Sequence, residues 1–280
     1  EGRALREGAR DALQRASRID PAASPRAHAE LALLERDFDA ALRAADDYRP
    51  GDLADYAGLA LRATILAAQA RVIDSSGDQQ QAAAISRDAL QHFEQARQVG
   101  RSDGRLLEAA CRAAARDVRI QGRNGVKPPT APGAFQPACD EAIHVRPDRA
   151  GSWSARALAW SAIAAVRATG KDASGERRAL ESMHDDAVQA SRRAGARPEP
   201  TLLLARAQIR IAQLRQSGFA ASLAGYDQAI ATLTGLLAQH PRYVPALHEL
   251  GIAYRQRGRL RANFKQSPGE DYELAVGALD

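Results

Sequence analysis

Six histidines, His28, His92, His144, His184, His240 and His248, are scattered along a chain of 280 residues. No two stand four apart, as a metal pair on one helix face would require, so a metal site would have to be assembled by folding alone and none is expected. Cys111 and Cys139 are the only cysteines. Two cannot make a disulfide framework or a zinc site, and their Ala-rich helical surroundings predict buried, inert thiols. Asp185-Asp186 has the residue types of a carboxylate dyad, but it is expected to be an exposed pair at a helix start, favoured there by the helix dipole. Gly170-Lys171 lacks the upstream glycine and the following Ser or Thr of a phosphate loop. Gly122-Arg123-Asn124-Gly125 has the spacing of a nucleic-acid-clamping loop, yet that loop needs a mixed αβ module. No catalytic, cofactor-binding or metal-ligating residues are expected, and no cofactor.

The elements that could position side chains are helices. Ala dominates an apolar share of 45%, whereas aromatics make up 5%. Ala, Arg, Leu and Gln favour helix, and the β-branched and aromatic residues that favour strand are scarce. This excludes a β-sandwich or barrel. No apolar run reaches the roughly 18 residues that a membrane-spanning helix needs, and no signal-peptide pattern opens the chain. The sequence begins at Glu1 and its only Met is Met183, so it is expected to be a processed or excised piece. The net charge of +5 comes almost wholly from Arg, with Lys only at Lys127, Lys171 and Lys265. A nucleic-acid binder concentrates positive charge in a patch or stripe. Here 39 basic and 34 acidic residues alternate, as in Arg10-Asp11, Arg36-Asp37, Arg87-Asp88 and Asp148-Arg149, which is the pattern of solvated helix faces with local ion pairs.

Internal repetition organises these helices. Leu247, Leu250-Gly251 and Tyr254 follow the first-helix pattern of a tetratricopeptide repeat (TPR), in which a small residue lets a neighbouring helix approach and large ones fill the flanking groove. The register recurs at Tyr56, Leu59, Ala60 and Ala63, and at Trp153, Ala157 and Trp160, with Arg156 departing in the aliphatic slot. It recurs more weakly at Leu106, Ala109, Ala110 and Ala113, and at Thr201, Leu204, Ala205 and Gln208. The anchors Tyr56, Leu106, Trp153, Thr201 and Leu247 are 50, 47, 48 and 46 residues apart. Second-helix patterns occur at Tyr226, Ala229, Leu233, Leu236 and Leu237 before Pro241, and at Phe135, Cys139, Ala142 and Ile143 before Pro147.

The fold class that follows is all-α, a right-handed α-solenoid of TPR-like helix-turn-helix hairpins with units of 46–50 residues. Residues 1–50 should hold an amino-terminal helix, Ala4 to Ile19, and a short hairpin over Arg26 to Tyr48. Residues 51–280 should hold units at about 53–102, 103–149, 150–198, 199–243 and 244–280. A standard unit has about 34 residues, and the surplus is expected between paired helices. The segments concerned are Asp74–Asp78, Gly122–Gly133, Gly170–Gly175, Gln216–Gly225 and Arg259–Gly269, all rich in Gly, Ser, Pro or charge. Longer helices are expected in some units and projecting loops in others, with Gly122–Gly133 the clearest mobile loop.

The chain resembles the TPR-rich regions carboxy-terminal to the catalytic domain in many bacterial serine/threonine protein kinases. The resemblance covers about Arg105 to the end. It rests on Phe135-Gln136-Pro137-Ala138-Cys139-Asp140-Glu141-Ala142-Ile143 followed by Pro147, and on Leu250-Gly251-Ile252-Ala253-Tyr254 followed by a charged insert and Asp271-Tyr272-Glu273-Leu274-Ala275. The Gly-x-Asp-Pro phrase often found in that insert is here Lys265-Gln266-Ser267-Pro268-Gly269, a partial match. These 280 residues contain no Val-Ala-Ile-Lys strand, His-Arg-Asp loop or Asp-Phe-Gly. The resemblance therefore implies a non-catalytic sensor or docking arm of a signalling protein, in the bacterial cytoplasm or on the outer side of a membrane-anchored parent.

Stacked hairpins expose an extended wall lined by first helices, which predicts a protein- or peptide-binding scaffold. Candidate groove positions are Ala57, Leu61 and Thr64; Ser154, Leu158 and Ser161; and His248, Ile252 and Arg255. Small, apolar and occasional basic side chains suit an extended or helical peptide of acidic character. The alternative is a basic helical-repeat module for nucleic acid. Helical repeats that read bases place polar readers at fixed positions, but one slot here runs Ala57, Leu107, Ser154, Leu202 and His248, which is no code. The last unit stops inside its second helix, with Tyr272, Leu274, Val276 and Leu279 uncovered. This predicts an end held around Leu250 and Tyr254, a mobile Gly258–Gly269 connection, and a parent's continuation or end-to-end self-association over the outer side.

Overall fold

The computed structural model describes residues 2–19, 24–48, 55–123, 136–214 and 218–278. It divides into two compact units, Glu1–Ala131 and Pro132–Asp280, and among the described residues every regular element is an α-helix. Unit 1 holds α1 (Gly2–Ile19), α2 (Ser24–Glu35), α3 (Phe38–Asp46), α4 (Asp55–Ser76), α5 (Gln79–Val99) and α6 (Gly104–Arg123). Unit 2 holds α7 (Gln136–Val145), α8 (Ala150–Thr169), α9 (Ala173–Arg192), α10 (Pro198–Leu214), α11 (Phe219–Gln239), α12 (Val244–Asn263) and α13 (Gly269–Gly277). Within each unit, helices adjacent in sequence pack on one another as hairpins.

Local chemistry sets the helix ends. Asp37, Asp78 and Asp172 cap α3, α5 and α9, each accepting the backbone N–H three residues on, from Ala40, Gln81 and Gly175. Three helices close on a left-handed residue that is not glycine: Arg36, Lys171 and Lys265, with φ of 63°, 57° and 57°. Around each, the next residue's N–H reaches back over the last turn, as Asp37 to the Ala32 carbonyl and Asp172 to the Arg167 carbonyl, both at 2.9 Å. This is the Schellman closure usually given to glycine.

The expected surplus between paired helices is mostly absent. Gly77–Asp78 joins α4 to α5, Gly170–Asp172 joins α8 to α9, and 264–268 joins α12 to α13. The long period is instead carried by helix length, 22 and 21 residues in α4 and α5 and 20 in each of α8 and α9. Gly225, expected in a loop, lies inside α11, where a Cβ would stand 2.9 Å from that of Ala212. Residues 259–263, also expected in a loop, continue α12 to Asn263. Phe264 beyond it packs against Phe219, ring centroids 4.8 Å apart. α6 runs to Arg123, and the rest of the expected Gly122–Gly133 loop lies outside the described residues.

Small side chains bring the helices together. Ala29, Ala41, Ala45 and Ile65 form one core cluster in unit 1. In unit 2 a cluster runs from Leu202 and Ala205 through Tyr226, Ala229 and Leu233 to Ala246, Ala253 and Leu260. A charged stitch recurs where a first helix meets the preceding second helix: Arg62 with Asp46, Arg156 with Asp140, Arg210 with Glu176, and Arg257 with Asp227. α13 docks on α12 at Gly258, where a Cβ would lie 3.1 Å from both Asp271 Cβ and Tyr272 Cε1. Asp271, fully buried, meets Arg257 at 2.6 Å and Arg261 at 3.0 Å. These contacts sit three to seven residues beyond Tyr254, the nearer of the two positions expected to hold it. Tyr272, Leu274 and Val276 are exposed, and Leu279 lies outside the described residues.

Both cysteines are fully buried, but neither is a free thiol, which corrects the expectation of inert thiols. Asp185 and Asp186 lie inside α9 rather than at a helix start. Among the described residues no helix is long and apolar enough to cross a membrane.

Candidate functional site

Unit 1 contains a groove of about 480 Å³ between α2, α4, α5 and the start of α6, within the range of small-ligand and peptide-anchor sites. α4 contributes Tyr56, Ala57, Ala60, Leu61 and Thr64; α2 contributes Arg26, Glu30 and Leu33; Phe93 comes from α5, and Arg105, Leu106 and Ala109 from α6. The space exists because α4 and α6 lie side by side and in step while the positions facing it at 57, 60 and 109 carry only methyl groups. The register is marked further along by Arg116, whose Nη1 donates to the Ala67 carbonyl at 2.7 Å, and by the Arg123–Asp74 ion pair at 2.8 Å. Each pair spans the same 49 residues. Gly100 completes the wall. A Cβ there would come within 2.8 Å of the Tyr56 ring and 3.0 Å of Leu106, so only glycine lets that turn approach so closely.

Most charges at the groove are already engaged. Arg26 Nε donates to Glu30 Oε1 at 3.0 Å, and this bond raises the guanidinium above its ordinary pKa. Asp103 caps α6, its Oδ1 accepting from the Arg105 and Leu106 N–H groups. The Arg105 side chain is exposed and has no partner among the described residues. Among the described residues, the groove thus offers an apolar floor and one open cation, Arg105. Among the described residues no cluster of His, Cys, Asp or Glu could hold a metal ion.

Ala57, Leu61 and Thr64 all line this groove, where the exposed Thr64 hydroxyl donates to the Ala60 carbonyl at 2.7 Å. The other six candidates belong to unit 2. Ser154, Leu158 and Ser161 are half-buried on α8, and the Ser154 hydroxyl is enclosed without a hydrogen-bond partner. On α12, His248 and Arg255 are exposed while Ile252 packs against the core. A smaller cavity of about 150 Å³ in unit 2 is lined by Tyr226, Gln256, Arg259, Leu260, Asn263 and Phe264. Burial raises the Tyr226 phenol pKa there.

Arg156 joins two acids that sequence spacing leaves separate. It reaches Asp186 on α9 through two hydrogen bonds, at 2.9 and 2.7 Å, and Asp140 on α7 at 2.7 Å. Burial raises the Asp186 carboxyl pKa, opposed by Arg156. The Arg156 and Arg193 guanidiniums each lie over the Trp153 ring, 5.4 and 5.1 Å from its centroid. Its indole N–H and Arg193 Nε both donate to the Pro147 carbonyl. The sequence signal for this network is the arginine occupying an aliphatic slot.

No protein-family model matches the chain, and no curated protein does. Among solved structures it is similar to Nro1, a nuclear import adaptor of S. pombe, with a TM-score of 0.52 at 11% identity over 99% of this chain and 95% of that one. A second structure of Nro1 aligns at 0.49 and 12% identity over 94% and 90% of the two chains. The MamA protein aligns at 0.35 and 13% identity over 77% and 91%. At such identity the likeness shows the fold alone. The chain is an all-α protein of the TPR-like helical-repeat type.

Proposed function

We propose that this chain is a non-catalytic protein-interaction scaffold and that the groove of unit 1 receives an apolar side chain of a partner peptide. The observation that carries the reading is the groove itself, open on first-helix positions, floored by Leu33, Leu61, Phe93 and Leu106, and edged by the unengaged Arg105. The nuclear import adaptor of like fold supports an adaptor role without indicating a ligand. The finer reading, a docking arm of a bacterial serine/threonine kinase, rests on the sequence phrases after Arg105 alone.

The test is selection of binders from a random peptide library, followed by affinity measurement against Thr64→Trp, whose exposed position admits an indole that fills the groove. Selected peptides should bind this variant at least about tenfold more weakly, the loss of one well-buried apolar anchor. Equal affinity for both proteins would remove the groove from the binding surface. His248→Ala with Arg255→Ala probes α12 in the same way, and unchanged affinity excludes that face.

A further inference from the structure

The small cavity of unit 2 collects polar groups that the fold leaves unused. Gln256, Arg259, Leu260 and Asn263 follow one another at i, i+3, i+4 and i+7 along α12, so they share one face. That face lines the cavity together with Tyr226 of α11. Phe264 completes the wall, held at the end of α12 by its contact with the Phe219 ring. Tyr226 is 1% exposed, yet among the described residues its phenol has no hydrogen-bond partner, and neither have the side chains of Gln256, Arg259 and Asn263. A buried phenol ordinarily finds a partner. One left without it costs stability that a phenylalanine in the same apolar slot would not. Burial raises the phenol pKa, so at neutral pH the hydroxyl keeps its proton and is free to donate it.

The unused groups are mostly donors: a guanidinium, two side-chain amides and a phenol O–H. None of the six lining residues is an acid, and the acids nearest in sequence, Asp227 and Asp271, are both bound to Arg257. The charge at the cavity is therefore the single positive charge of Arg259. A volume of about 150 Å³ takes about five water-sized groups at roughly 30 Å³ each. We infer that this cavity binds a carboxylate carried on a short chain of about three carbons, with its oxygens accepting from Arg259, Tyr226 and the amides and its carbons against Leu260 and Phe264. A planar guanidinium matches the two oxygens of a carboxylate, and one cation suits a monoanion better than the dianion of a phosphate. A free short-chain acid and a glutamate side chain carry the same group, and the experiment separates them. The inference does not rest on the groove of unit 1.

The experiment is a magnetic-resonance titration of the whole chain, with tyrosine rings and arginine side chains labelled. The probes are propionate, propionamide, inorganic phosphate, and glutamate blocked at its amino and α-carboxyl groups. The Tyr226 and Arg259 signals are identified by their loss in Tyr226→Phe and Arg259→Gln. Propionate should shift both signals to saturation and bind at least about tenfold tighter than propionamide. Its affinity should fall about tenfold in Arg259→Gln, read on the Tyr226 ring. In Tyr226→Phe it should fall about threefold to tenfold, read on the Arg259 Nε–H, with no drop in melting temperature, because the deleted hydroxyl had no partner to lose. Tighter binding of the blocked glutamate than of propionate assigns the carboxylate to a peptide, and the reverse assigns it to a free acid; either upholds the site. Absence of shifts with every probe, equal binding of propionamide, or propionate binding that ignores Arg259→Gln overturns the inference. Tighter binding of phosphate than of propionate overturns the carboxylate assignment. A less stable Tyr226→Phe with unchanged propionate affinity overturns the part given to the phenol.

Discussion

Arg156 neutralises two carboxylates of very different exposure, and the consequences of removing each partner separate accordingly. The Asp186 side chain is 5% exposed and that of Asp140 is 51% exposed. Arg156→Ala strands a buried carboxylate and should cost about 3 kcal/mol, whereas Asp140→Ala should cost less than about 1 kcal/mol; urea unfolding midpoints measure both. The pH dependence of Arg156→Ala has a definite sign. Burial raises the Asp186 pKa in the folded chain, and without Arg156 nothing opposes that rise. Protonation then favours the folded state, so this variant should recover stability as pH is lowered from neutral through the raised pKa. A loss parallel to that of the wild type would contradict the assignment. At Gly100, φ is −91°, which any residue adopts, so the requirement there is space. Gly100→Ala should push Tyr56 off the groove wall and destabilise by about 1–3 kcal/mol, read by chemical denaturation.

Helix ends carry predictions of the opposite sign. Lys171 holds a left-handed conformation that costs a residue with a Cβ about 1 kcal/mol. Lys171→Gly should stabilise by roughly 0.5–1 kcal/mol and Lys171→Val should destabilise, both measured by thermal melting. Asp78→Ala removes the cap bond to Gln81 N–H at a cost of about 1 kcal/mol, and Asp78→Asn should retain most of it. Hydrogen exchange tests α12 and α13 together. Protection should continue without a break from 244 to 263, because that segment is one helix, and fall over 264–278, where Tyr272, Leu274 and Val276 face solvent. Fast exchange beginning at Gly258 would instead favour the early loop expected from the Arg- and Gly-rich sequence.

Across the whole chain, 39 basic residues are set against 34 acidic ones, and many meet across helix junctions. General polyanion adhesion should therefore be weak. A gel shift with mixed-sequence RNA and DNA should disappear between low salt and about 0.15 M, where exposed charges are screened beyond about 8 Å. A complex that survives would favour the nucleic-acid alternative.

The helices and their recurrence are legible in the sequence because periodicity, alanine content and capping aspartates act within a few residues. Ala57, Leu61 and Thr64 share one face of one helix, and that face lines the unit 1 groove. The structure alone decides which long segments become helix rather than loop, because the helix-breaking tendency of Gly225 and Gly258 is outweighed by the close approach of a neighbouring helix. It also decides which acceptors meet Arg156, Arg257 and Arg116. Those partners lie 14 to 30 residues away for the first two, and for Arg116 the nearest acceptor is a carbonyl 49 residues away. Local pattern cannot register such encounters, because the angle at which two helices pack determines whether an arginine reaches a carboxylate, a carbonyl, or open solvent.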